Sequence, residues 1–102
     1  MSIVTVTETA YDIDWIELAA GVEKLVVDKL KDDLKQWEGD IGMRQMFVQD
    51  AADALAVCEL LAEGKWRMAE NRIRNMDTAA RDDVYDFIEI VAGADFFDCV
   101  RV

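Results

Sequence analysis

The sequence predicts an all-α fold, a compact bundle of about four helices in one domain spanning residues 1–102, to which the termini can add a short β-ribbon. Three observations carry that expectation. Apolar residues recur at spacings of three and four over most of the chain. Proline is absent, and no Ser-rich or Pro-rich linker interrupts the pattern. Four of the five glycines, at 21, 39, 42, 64 and 93, punctuate helical stretches, where helix C-terminal glycine belongs. A chain of 102 residues holds one core rather than two. Its 53% hydrophobic content separates it from acidic disordered segments, which lack the surface to offset ordering entropy.

In order along the chain, Ile3 to Glu8 alternates, with Val4 and Val6 separated by Thr5 and Thr7, so residues 1–10 form a short strand or an extended arm. From about Ile13 to Glu38, Trp15, Leu18, Val22, Leu25, Val26, Leu30, Leu34 and Trp37 make the strongest helical stripe. Gly21 lies inside it and lowers helix propensity by roughly 1 kcal/mol relative to Ala, so a bend or a break is expected there. Gly39 and Gly42 flank a turn, after which Met43, Phe47, Ala51, Ala54, Cys58 and Leu61 share one side of a second helix that stops at Gly64. A third helix over Lys65 to Met76 carries the stripe Trp66, Ala69, Ile73 and Met76, with Met68 off it. Asp77 or Thr78 can cap a fourth, in which Ala80, Val84, Phe87, Ile88 and Val91 face inward before Gly93. Cys99 to Val102 alternates in a way that could pair with Val4 and Val6.

The chemistry is defined first by what is missing. Histidine is absent, which removes Ser-His-Asp and Cys-His nucleophilic systems and every zinc site that needs imidazole. No GxxxxGK[ST] or GxGxxG loop is present to cradle phosphates. Carboxylate pairs occur by abundance alone, so they do not single out a hydrolase. A calcium or magnesium site would need several oxygen ligands, but the EF-hand pattern is absent. The expectation is a non-enzyme without cofactor or metal. Cys58, on an apolar helix face, is expected to be a buried, inert thiol, and neither it nor Cys99 belongs to a CxxC motif. No basic region followed by an apolar run opens the chain, and no apolar run approaches the ~20 residues of a membrane span. A cytoplasmic setting is expected.

Charge is the informative positive feature. Twenty-two acids against eleven bases give a net charge of −11, which disfavours direct binding to nucleic acid or to an anionic membrane. The acid is concentrated in residues 1–23, 40–64 and 77–102, while 24–39 balances and 65–76 is basic. Asp82, Asp86 and Glu89 are spaced by four and three, placing three carboxylates on one helix face with Asp83 beside them. Like charges at that spacing weaken an isolated helix, so the row is not there for local stability. It is either a solvated face that keeps a small domain soluble or a rigid row spaced somewhat like backbone phosphates. Asp12, Asp14 and Glu17 form a second run at the start of the first helix, where the helix dipole already favours negative charge. The basic island Lys65, Arg67, Arg72 and Arg74 is expected to pair with neighbouring acids, and Asp50, at the edge of an apolar face, to be held by Arg72 or Arg74 or to border an interface.

About 100 residues, one helical domain, strong negative charge, no catalytic motif and the row Asp82, Asp83, Asp86 and Glu89 together resemble, in kind, the small acidic proteins that bacteriophages use against host defences, especially anti-CRISPR proteins and DNA mimics. The resemblance implies a binding inhibitor of a nucleic-acid-handling complex in the host cytoplasm. Its partner would be a protein that itself binds nucleic acid, met by carboxylates of the first and fourth helices. A helical homodimer or adaptor is the other expectation from the abundant apolar residues.

Overall fold

The computed structural model describes residues 2–6, 9–93, 96 and 97, with side chains from residue 14 onward. It is a four-helix arrangement of α1 (Trp15–Gln36), α2 (Ile41–Ala62), α3 (Trp66–Arg74) and α4 (Thr78–Ala92), preceded by a β-hairpin of β1 (Ser2–Val6) and β2 (Thr9–Ile13). The all-α bundle expected from periodicity is what forms. The β-ribbon differs from its expected pairing, because Val4 lies opposite Tyr11 and Val6 opposite Thr9 in an antiparallel register. Local hairpin closure costs less chain entropy than pairing the two ends of the chain. The proposed partner strand Cys99 to Val102 lies outside the described residues, as does Cys99 itself.

The starts of α1 and α2 and the end of α2 have identifiable local causes. Asp14 caps α1 by accepting from the Glu17 backbone N–H at 3.1 Å, and Asp40 caps α2 by accepting from Met43 at 3.0 Å. Gly42 therefore lies inside the first turn of α2 rather than flanking it. α2 ends in a Schellman motif: the Gly64 N–H donates to the Leu61 carbonyl and the Lys65 N–H to that of Leu60, both at 2.9 Å, with Gly64 at φ +75°. Asp77 takes the N-cap position of α4 but makes no side-chain capping bond. Gly93, at φ +99°, follows the last turn.

Gly21 does not break α1, which runs uninterrupted from Trp15 to Gln36. A Cβ there would sit 2.8 Å from Cγ1 of Val91, so the bare backbone lets α4 approach. The core is built from Trp15, Leu18, Val22 and Val26 of α1, Ala51, Ala54, Val57, Cys58 and Leu61 of α2, Ala69 and Ile73 of α3, and Val84 and Ile88 of α4. Phe96 and Phe97 close one end of it, edge-on to Trp15 and Tyr85 with ring centroids 6.1 and 5.7 Å apart. Alanines at 51, 54 and 69 allow close helix contacts.

Burial is confined to part of the helices' length. In α1 it stops at Val26, and in α2 it starts at Ala51. No residue from 27 to 50 is buried, so the joined ends of α1 and α2 project as a helical hairpin, tied by the Arg44 guanidinium donating to the Leu34 carbonyl at 2.8 Å. The molecule measures 52 × 22 × 21 Å along its principal axes. Among the described residues no helix is long and apolar enough to cross a membrane.

Candidate functional site: acidic faces and an apolar cleft

α4 presents its carboxylates in two directions. Asp82, Asp86 and Glu89 are exposed on its outer face, with axial rises of about 6 and 4.5 Å between them. Asp82 has one weak neighbour, Arg81 at 3.8 Å. Asp83 is turned aside toward α1, where its carboxylate lies 3.6 Å from the Lys29 ammonium. The outward row therefore holds three acids, and Asp83 belongs to a different site.

The second acidic run divides as well. Asp12 falls in β2 instead of the first helical turn, and its side chain lies outside the described residues. Asp14 is committed to its cap, and Glu17 is exposed in the first turn of α1. Lys29 meeting Asp83 and Gly21 meeting Val91 show that α1 and α4 run antiparallel. On that register Glu89 lies near the level of residue 23, so Glu17 is about six residues, or about 9 Å, farther along the axis.

The basic island is consumed locally. Lys65 pairs with Glu63 at 2.8 Å, Arg72 with Asp53 at 3.1 Å and Arg74 with Glu70 at 3.5 Å, while Arg67 lies 5.1 Å over the Trp66 ring. Each cation is about half exposed, so each pair is worth at most about 1 kcal/mol. Neither Arg72 nor Arg74 holds Asp50. Arg72 reaches the residue one turn later, Asp53, and Asp50 has no ion pair within 4 Å among the described residues.

Asp50 instead stands at a cleft of about 160 Å³ between α1, α2 and α4. The floor is apolar, from Val26, Ala51, Ala54 and Val84, and Phe47 and Phe87 contribute aromatic surface. Lys29 lies in the cleft, bonded to Asp33 at 2.6 Å and 5.6 Å from the centre of the Phe47 ring. Burial works against the Lys29 ammonium, but Asp33 and Asp83 outweigh it and hold its pKa above the ordinary value. The Asp50 carboxyl is pushed upward by burial and then by Asp77, Asp53 and Asp83, against which Lys29 gives only partial relief. Sequence reading singled out Asp50 but not the cleft, whose walls come from residues more than fifty positions apart.

Cys58 is buried, and burial with the nearby Glu23 charge pushes its thiol up to about 12. It is a packed hydrophobe rather than a nucleophile. Among the described residues no group of three or more His, Cys, Asp or Glu side chains is arranged to hold a metal ion. Comparison with protein-family models, curated proteins and solved structures returns no match.

Proposed function

We propose that this chain is a non-catalytic, cytoplasmic binding inhibitor of a nucleic-acid-handling protein, of the anti-CRISPR or DNA-mimic kind. The observation that carries the reading is the exposed, helix-mounted row Asp82, Asp86 and Glu89. Mounted on one helix, the three carboxylates have fixed spacing, so a Lys/Arg-lined site can engage them without first ordering them. A net charge of −11 steers such encounters and falls away in effect as salt rises. Asp14 and Glu17 can extend contact along α1, since Asp14's cap uses only one of its carboxylate oxygens.

The test compares the wild-type chain with the near-isosteric triple variant D82N/D86N/E89Q as bait in a host extract. The wild type should retain nucleic-acid-binding proteins that duplex DNA and moderate salt release, and the variant should lose them. Equal retention by both baits sinks the electrostatic reading. A second reading, assembly through the α1–α2 hairpin, is favoured by the exposure of Ile41, Met46 and Val48 there.

A further inference from the structure

We infer that the cleft between α1, α2 and α4 is a receptor for one apolar-stemmed cation, the ammonium or guanidinium of a Lys or Arg side chain presented by a protein partner. The site lies apart from the outward row of α4 and rests on the preceding reading only in taking the partner to be basic.

The structure already contains an example of the chemistry. Lys29 lays its ammonium 5.6 Å from the Phe47 ring centre, within reach of a cation–π contact, and closes it with Asp33 and Asp83. One cation thus answers two of the three carboxylates that line the cleft. The third, Asp50, has no ion pair within 4 Å among the described residues; Asp77 and Asp53 add to Asp83 in raising the negative potential around it, and Lys29 offsets this only in part. Asp53 is itself engaged by Arg72, so it does not share a cation with Asp50. Below Asp50 the floor is made of alanines and valines, which suit a methylene stem and offer no hydrogen bond. Charge complementarity therefore selects a second cation with an alkyl stem over a neutral or anionic apolar group. A volume of about 160 Å³ suits a single side chain and not a helix.

The probe is n-hexylammonium, with n-hexanol and hexanoate as controls of matched stem, titrated into the full chain and followed by backbone amide shifts. Saturable shifts at Ala51, Ala54 and Val84 are expected with hexylammonium alone. Asp50→Asn should weaken binding by about fivefold, the scale of one half-exposed ion pair, with circular dichroism confirming that the variant is folded. The D82N/D86N/E89Q variant should bind hexylammonium as the wild type does, whatever its fate in the bait experiment, so the two proposals fail separately. Equal binding of hexanol, an unchanged affinity in Asp50→Asn, or no saturable shift would each overturn the inference.

Discussion

At the scale of single residues, the charges of this chain sort by whether a neighbour answers them. Asp14, Asp53 and Asp83 have backbone or cationic partners, whereas Asp50 has carboxylates around it. Its raised pKa fixes the sign of a stability effect. A carboxyl that is harder to ionise in the folded chain than in the unfolded one contributes its full stability below the unfolded value, near 3.8, and loses it as pH climbs through the folded value. Ionised Asp50 is therefore a cost at neutral pH. Asp50→Asn, which mimics the protonated acid in shape, should melt above the wild type at pH 7, and the gap should close as pH falls below about 4. Parallel melting curves at pH 7, 5 and 3 check this, and a variant that melts lower at pH 7 would show that the carboxylate is a stabilising partner. Asp50 also shows what sequence can and cannot deliver at this scale. Its edge position on α2 followed from periodicity, but which acid Arg72 would choose did not: Arg72 lies on a different helix and pairs with Asp53, one turn of α2 beyond Asp50.

At the scale of elements, the helices were legible because their signals are local. Stripes at three and four gave α1 to α4 within about three residues at each end, and Gly64 marked the end of α2 through its left-handed backbone. β2 was missed because its five residues, Thr9–Ile13, include Asp12 and precede a capped helix, so the acids Asp12, Asp14 and Glu17 looked like one helical start. Gly21 was read as a weakness for a similar reason, since propensity is visible in sequence and the approach of Val91 is not. That approach makes a measurable claim. Gly21→Ala alone gains about 1 kcal/mol of helix propensity but drives a methyl into Val91, an overpacking that typically costs ~1–3 kcal/mol. It should be neutral or destabilising. In a Val91→Ala background the clash is gone, and the same substitution should stabilise by about 1 kcal/mol. Urea unfolding of the four proteins gives the coupling directly, and equal effects in both backgrounds would mean that α4 does not press on Gly21.

At the scale of the whole molecule, the division of labour follows from where the core stops. Buried residues hold α3, α4 and the inner halves of α1 and α2 together, while the outer α1–α2 hairpin carries Ile41 at 73% exposure and Val48 at 50%. Such side chains on a projecting hairpin gain nothing from this chain's own core. The sequence did not reveal this, because the stripe of α1 runs on through Leu30 and Leu34 as if the core continued, whereas full burial ends at Val26 and Leu30 packs only at the core's edge. The tip of the hairpin, residues 34–49, is also neutral: Lys35 and Arg44 stand against Glu38 and Asp40, in a chain whose total is −11. Two copies repel one another over most of their acidic surface but not at this neutral, apolar tip, so any self-association should run hairpin to hairpin and strengthen with salt, as screening removes the background repulsion. That is the opposite of the salt response expected for a basic target. Light scattering across a concentration series should show a mass above 11.6 kDa that rises with salt. Met46→Glu combined with Val48→Glu should return it to the monomer at every concentration. A wild-type chain that stays monomeric in high salt, or an association indifferent to both substitutions, would remove the assembly reading and leave the acidic faces as the molecule's means of engagement.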